Sequence, residues 1–284
     1  MTSRVQMVIN PIAAADMEIN SIYLDGAVRG TVIDPERNSY SFDHHGEGVR
    51  FALTSSCFQM AMAVNMGLDM STIKTIYVSS IDADSVLSTF IALNPESTLN
   101  LEFVKFLQDI SRVDNHGFPA LIPGEALYNC FFALALNPRA GESETLDLLL
   151  KKVEMAEEMY KAGTLMDKGV DQKLPGIAVA LDADGHPWHS TEGEVSFEEV
   201  YSNGSWGLIL GENADKSLKV TVGKKPFALV GDLNGLWAHM SELEPEGQTW
   251  GGGDSIGGSP FKVGTVLTPA EIMREIRNWV KLNK

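Results

Sequence analysis

One short segment of this sequence concentrates side chains that could do chemistry. Asp43, His44 and His45 stand side by side directly after Tyr40–Phe42, which we predict to be a short strand. Strand ends are where α/β sheets bind ligands, and carboxylates with imidazoles are ligands suited to Mn, Fe or Zn. Because adjacent histidines have no common structural role, we predict Asp43 and His44 as metal ligands. His45 is predicted to orient the substrate or protonate the leaving group.

Two further groups of acidic residues follow in the same half of the chain. Asp82 and Asp84 come after the predicted strand Thr75–Ser79, where an extended backbone would place both carboxylates on one side. Asp114 and His116 form another carboxylate–imidazole pair, two residues apart. We predict Asp82, Asp84 and Asp114 as further metal ligands and His116 as a second candidate catalytic residue.

Each acidic residue also has a structural interpretation, which the sequence leaves open. Asp82 or Asp84 could cap a helix, and Asp114 could belong to a turn. Asp25 and Asp34 stand at predicted strand ends, before Gly and Pro respectively, and are typical turn residues. Either of these two could still be an additional metal ligand.

A glycine-rich segment near the other end of the chain is the second candidate for chemistry. Gly251–Gly258 contains five glycines in eight residues, and glycines allow backbone N–H groups to form an anion-binding nest. The alternative is a surface loop without a ligand. The predicted substrate-binding residues are Gly251, Gly252, Gly253, Asp254 and Ser255.

The elements that must position these residues follow from hydrophobic periodicity. The first half alternates strand-like and helix-like segments, which favours an α/β domain with a parallel sheet and helices on both faces. A strong amphipathic helix is predicted at Ser143–Ala162, followed by a glycine-containing polar linker. Further strands, a hairpin at Asp184-Gly185 and a final helix predict a smaller α+β domain. We therefore expect a metal-binding domain at 1–170 and a substrate-binding domain at 171–284.

The charge balance limits the class of partner. The 284 residues include 22 Lys and Arg against 38 Asp and Glu, a net charge of −16. A protein that binds many phosphates needs clustered basic residues, and the sequence has none, which argues against a long nucleic acid. A small anionic substrate stays compatible if metal ions offset the local negative charge.

Two other features bear on the cellular location. No apolar run approaches the roughly 20 residues that a membrane helix needs, so we expect no membrane partner. Cys57 and Cys130 are too few for a disulfide framework, which predicts a reducing, cytoplasmic environment.

Several of these motifs resemble those of a known family. The Asp-His-His sequence at 43–45 resembles the signature of the DHH phosphoesterase superfamily, and Ala52–Cys57 resembles the small-residue stretch that follows it. Ile81–Ser85 resembles the family's Asp-x-Asp motif, although in the family that motif precedes the histidines. Trp250–Pro260 is similar to the glycine-rich substrate loop, with Asp254 where the family usually carries a histidine. The resemblance implies two lobes, with a metal site in the first and substrate-contacting loops in the second, and we expect manganese as the ion.

The residues and the resemblance together predict a metal-dependent hydrolase. We expect a phosphoesterase that acts on a small phosphorylated substrate, with one or two Mn-like ions that activate water. Two alternatives stay open: hydrolysis of an amide-type bond, and a non-catalytic protein that binds an anion. A homodimer is also left open.

Overall fold

The computed structural model describes residues 4–45, 53–116, 127–137, 140–169, 174–213, 215–225, 228, 230–252, 256–260 and 263–283. They fall into two compact units, one within Met1–Asn115 and Ala126–Val170 and the other within His116–Glu125 and Asp171–Lys284. One unit has a largely parallel sheet with helices, and the other has an antiparallel sheet with helices. The predicted α/β fold class is therefore confirmed.

Among its described residues, the first unit has five strands and five α-helices. The strands are β1 (Arg4–Met7), β2 (Ser21–Leu24), β3 (Val32–Asp34), β4 (Ser39–Phe42) and β5 (Thr75–Val78). The helices are α1 (Ser56–Asn65), α2 (Ala83–Leu93), α3 (Leu101–His116), α4 (Asn129–Leu134) and α5 (Leu146–Ala162).

The strand order of the first sheet decides where polar residues can gather. The order is β1-β5-β2-β4-β3, and all neighbouring strands are parallel except β3, which runs antiparallel at one end of the sheet. Parallel strands all end at the same edge of the sheet, and that edge is where open α/β sheets bind ligands. The residues that follow β2, β4 and β5 therefore share one edge.

The two faces of this sheet are covered differently. Ile22 and Leu24 of β2 face a large core to which α1 to α5 all contribute. Tyr23, which points to the opposite face, packs in a separate cluster with Met17 and Val28, and no described helix contributes to that cluster. The expectation of helices on both faces is thus wrong for the described residues, because the segment around β2 covers the second face instead.

In the part of the second unit that the structure describes there are six strands and three α-helices. The strands are β6 (Leu174–Leu181), β7 (Pro187–Val195), β8 (Trp206–Glu212), β9 (Leu218–Lys224), β10 (Gly251–Gly252) and β11 (Ile256–Gly258). The helices are α6 (Phe197–Asn203), α7 (Leu233–Ser241) and α8 (Pro269–Asn283).

The antiparallel sheet of the second unit has the order β10-β11-β9-β8-β6-β7. The predicted hairpin at Asp184-Gly185 is present, since β6 and β7 pair antiparallel across that turn. Alternation along β8 separates two cores: Leu208 packs with α7 and α8, whereas Ile209 packs with α6. No helix in the described part of the chain is long and apolar enough to cross a membrane.

Candidate metal centre

Four segments bring acidic and histidine side chains to the carboxyl edge of the first sheet. Asp25 follows β2, the Asp-His-His sequence follows β4, Asp84 lies in the first turn of α2 after β5, and Asp114 lies near the end of α3. Two groups of these side chains could hold a metal ion. One consists of Asp25, His44 and His45, and the other of His44, Asp84 and Asp114.

His44 belongs to both groups and is almost completely buried. Its Nε2 atom lies 3.4 Å from Asp25 Oδ1, 3.6 Å from Asp84 Oδ2 and 3.2 Å from Asp114 Oδ2. Three carboxylate oxygens around one buried nitrogen repel one another unless a positive charge lies among them. A metal ion bound at this point would relieve that repulsion.

The hydrogen bonds of these atoms fit a cation better than a closed polar network. Asp25 Oδ1 and His44 Nε2 are both buried, and neither makes a hydrogen bond with any described group. Buried polar atoms without partners are rare and expensive. Oxygen and nitrogen donors of this kind suit Mn, Fe or Zn, so the buried Asp and His side chains could hold a metal ion.

The sequence indicates Asp25 as a turn residue or an additional ligand. In the structure it is a member of one of the two groups and lies beside His44. It begins a tight turn with a left-handed backbone (φ 48°), in which Leu24 O accepts a hydrogen bond from Ala27 N. Its Oδ2 accepts hydrogen bonds from Ser80 Oγ, at 2.8 Å, and from Ser85 Oγ. The turn and the ligand position are therefore compatible, because the turn presents the carboxylate to the cluster.

The charge state of Asp25 follows from its neighbours. Burial raises its pKa, but the adjacent His44 and His45 rings and the Ser85 hydroxyl outweigh burial and lower the pKa to about 2. Asp25 is therefore ionised at neutral pH and available to a cation.

Asp84 is held by the start of a neighbouring helix. Its two carboxylate oxygens accept hydrogen bonds from the backbone N–H groups of Ser56 (2.8 Å) and Cys57 (2.7 Å), the first residues of α1. A helix N-terminus attracts negative charge, so α1 fixes this carboxylate beside His44. Burial and the nearby charge of Asp25 nevertheless raise the pKa of Asp84.

Asp82 does not join either group, which differs from the prediction. Its Oδ1 accepts a hydrogen bond from Ser85 N at 2.8 Å and caps α2, the alternative that the sequence had left open. The prediction assumed an extended segment, but the helix begins at Ala83, so Asp82 and Asp84 do not alternate as on a strand. Burial, together with repulsion from Asp25 and Asp84, raises the pKa of Asp82 to about 8.

Asp43 is also outside both groups, although it was predicted as a ligand. Its Oδ2 accepts a hydrogen bond from Gly30 N at 2.6 Å, and its Oδ1 contacts His45 Nδ1 at 2.8 Å and the His45 backbone N–H at 3.0 Å. Burial raises the pKa of Asp43, but these hydrogen bonds outweigh it and lower the pKa. Asp43 therefore orients His45, whose side chain is 41% exposed.

The other predicted site residues lie elsewhere. Asp114 is in α3 rather than in a turn, and the side chain of His116, the last residue of α3, is outside the described residues. Gly251 and Gly252 form β10 in the second unit, whereas residues 253–255 (Gly253, Asp254 and Ser255) are outside the described residues.

Close packing explains why residues 252 and 257 are glycines. A Cβ atom on Gly252, whose φ is 152°, would lie 2.3 Å from Gly257 Cα, and one on Gly257 would lie 2.6 Å from Trp237 Cζ2. Gly251 has nothing within 4 Å of such an atom. The β10–β11 pair therefore needs glycine at 252 and 257 to pack.

Comparison with known proteins adds no relative. The chain matches no protein-family profile, no curated protein and no solved structure.

Proposed function

We propose that this protein is a metal-dependent hydrolase, and most specifically a phosphoesterase acting on a small phosphorylated substrate. The observation that carries the proposal is the pair of buried, unpartnered atoms Asp25 Oδ1 and His44 Nε2, 3.4 Å apart, beside the carboxylate of Asp84. The phosphoester class is supported by the resemblance of the Asp-His-His sequence at 43–45 to the DHH superfamily.

The residues that would hold the metal are the members of the two groups other than His45. His44 would supply a nitrogen, and Asp25, Asp84 and Asp114 would supply oxygens, a donor set that fits manganese or zinc. A divalent ion held by these residues would supply Lewis-acid chemistry and would lower the pKa of bound water. The ion would also offset the negative charge of the carboxylates, which would otherwise repel a phosphate.

His45 is the residue placed to move a proton. It is exposed, unlike His44, and its Nδ1 is held by Asp43 Oδ1 at 2.8 Å. A carboxylate that accepts from Nδ1–H fixes the tautomer and stabilises the protonated ring. We therefore assign to His45 the protonation of the leaving group and to Asp43 the orientation of His45.

The structural arrangement of Asp43 and Gly30 supports this assignment. Gly30 N donates to Asp43 Oδ2, while Thr31 Oγ1 and Gln59 Nε2 donate to the Asp43 backbone oxygen at 3.0 and 3.2 Å. Both the side chain and the backbone of Asp43 are thus fixed. A rigid partner of this kind keeps an imidazole in one orientation.

The test is a hydrolysis assay on metal-free protein reconstituted with Mn²⁺, using a panel of small phosphomonoesters and phosphodiesters with amide substrates alongside. We expect turnover of a phosphoester that requires the ion and is lost in Asp25→Asn. The matched control is Asp69→Asn, since Asp69 is a fully exposed cap that contacts Ser71. Turnover of amides alone, or tight phosphate binding with no turnover of any substrate, would contradict the proposal.

A further inference from the structure

We infer that Asn115 is a positioning residue, which fixes the His44 ring so that Nε2 faces the carboxylate cluster. Asn115 Oδ1 lies 2.5 Å from His44 Nδ1, on the side of the ring away from the acidic residues. Neither the sequence motifs nor the resemblance pointed to Asn115. The inference rests on the proposed metal site.

The orientation of the Asn115 amide is determined by its other contacts. Its Nδ2 atom donates a hydrogen bond to the backbone oxygen of Leu53 at 2.9 Å, and Ser111 Oγ, one helical turn earlier, lies 3.4 Å from the same atom. A reversed amide would direct its oxygen at the Leu53 carbonyl and lose this bond. Asn115 Oδ1 must therefore face His44, and only an N–H can donate to it.

This contact selects one tautomer of His44. A neutral imidazole carries a single N–H, and the bond to Asn115 Oδ1 places that hydrogen on Nδ1. Nε2 is then left with its lone pair toward Asp25 and Asp84, which is the form that ligates a metal. Ligating histidines commonly donate their other ring N–H to such an outer partner.

Helix α3 thereby performs two roles with consecutive residues. Asp114 presents Oδ2 to His44 Nε2 at 3.2 Å, and Asn115 presents Oδ1 to Nδ1 of the same ring. Ser111 ties the helix to the chain ahead of α1, because its Oγ accepts a hydrogen bond from Ser55 N at 2.7 Å. One helix thus holds Nδ1 of the His44 ring through Asn115 and places the Asp114 carboxylate beside Nε2.

The first experiment compares the Mn²⁺ affinity of three variants by calorimetry. Asn115→Leu keeps the shape but removes the acceptor, so we expect Mn²⁺ binding about 10- to 100-fold weaker. Asn115→Asp keeps an acceptor oxygen and should bind close to the wild type or more tightly. Asn94→Leu is the matched control, because Asn94 also donates to a backbone oxygen of the first unit but lies at the end of α2; its affinity should be unchanged.

The outcomes separate this inference from the proposed function. A wild-type protein that binds no Mn²⁺ would contradict the metal site itself. A wild-type protein that binds Mn²⁺, with Asn115→Leu binding equally well, would overturn the role of Asn115 alone. Mn²⁺ binding that is weakened equally in Asn115→Leu and Asn115→Asp would also overturn it. Both variants lose the hydrogen bond to Leu53, so that loss, and not the loss of the acceptor for His44, would then explain the effect.

A spectroscopic reading does not depend on whether the leucine variant folds. In metal-free wild-type protein with the His44 ring neutral, long-range ¹H–¹⁵N spectra should show a hydrogen on Nδ1 and none on Nε2, since no metal ion is then present to exclude a hydrogen from Nε2. A hydrogen on Nε2 would overturn the inference, since Asn115 would then not be setting the tautomer.

Discussion

The two units handle their polar and glycine-rich segments in opposite ways. In the first, the parallel strands β2, β4 and β5 all end at one edge, and acidic and histidine side chains from separate parts of the chain meet there. In the second, every neighbouring strand pair is antiparallel, so strand ends are divided between both edges. There Gly252 and Gly257 serve close packing.

The comparison shows that topology decides whether a short motif can become a site. Asp25 and His44 are distant from each other in sequence, yet parallel pairing of β2 with β4 places them 3.4 Å apart. Gly252 and Gly257 are close in sequence and face each other across a two-strand pair. We therefore expect substitutions at the first pair to affect metal binding and substitutions at the second to affect stability.

The largest expected effect separates the histidines of the two units. His44→Ala removes the nitrogen shared by both groups. Mn²⁺ affinity should therefore fall by more than the roughly 10- to 100-fold that is typical when a metal ligand loses its hydrogen-bond partner. His189→Ala, which changes an exposed histidine of β7, should leave affinity unchanged. Calorimetric titration of metal-free protein measures both, and equal affinity of the two variants would abolish the contrast between the units.

The next effect concerns the glycines of the second unit. Gly257→Ala would place a Cβ atom 2.4 Å from Gly251 O and 2.6 Å from Trp237 Cζ2, so we expect a loss of about 1–3 kcal/mol in the free energy of unfolding. The matched control Gly251→Ala meets nothing within 4 Å and should change stability little. Tryptophan fluorescence during denaturation is a selective probe, because all five tryptophans belong to the second unit.

The metal affinity of Gly257→Ala is a second test of whether this glycine contributes only to packing. It should equal that of the wild type, since the residue contributes only to packing. A variant with normal stability and weakened substrate binding would instead assign the glycines a ligand role.

A smaller effect is expected in the pH dependence of the metal-free protein. The pKa of Asp82 is raised to about 8 by burial and by repulsion from Asp25 and Asp84, so the folded state binds more protons than the unfolded state between about pH 4 and 8. The free energy of unfolding should therefore fall as pH rises through this range. Since one pKa unit corresponds to about 1.4 kcal/mol, even part of the shift gives an effect on the order of 1 kcal/mol.

Asp82→Asn isolates this contribution. The asparagine retains an oxygen that caps α2 but cannot ionise, so the fall in stability toward pH 8 should be reduced. Denaturation followed by circular dichroism at pH 5 and pH 8, with chelator present, measures the change. An unaltered pH dependence would show that Asp82 is not the group responsible.

The sequence contained much of the fold and part of the site. Periodicity predicted β5 and α5 closely, and the hairpin turn was predictable because Asp184-Gly185 is a sequence typical of hairpin turns. His44, Asp84 and Asp114 were recognisable because their residue types are typical of metal ligands. These features depend on local chemistry alone.

The remaining features depend on contacts that a single segment does not contain. Asp25 looked like an ordinary Asp-Gly turn, and only the pairing of β2 with β4 brings it to His44. Asp82 and Asp84 are equivalent in the sequence pattern. In the structure, Asp82 caps α2 and Asp84 lies in its first turn, so their carboxylates point in different directions. Asn115 gave no signal, because an asparagine becomes informative only once its two partners are known.

The most direct test of the central claim is an anomalous diffraction map from crystals of the protein grown with Mn²⁺. The account predicts a manganese peak within bonding distance of His44 Nε2 and Asp25 Oδ1, with an Asp84 or Asp114 oxygen completing the contact. A well-ordered cluster without a peak at saturating Mn²⁺, or a peak confined to the second unit, would contradict it.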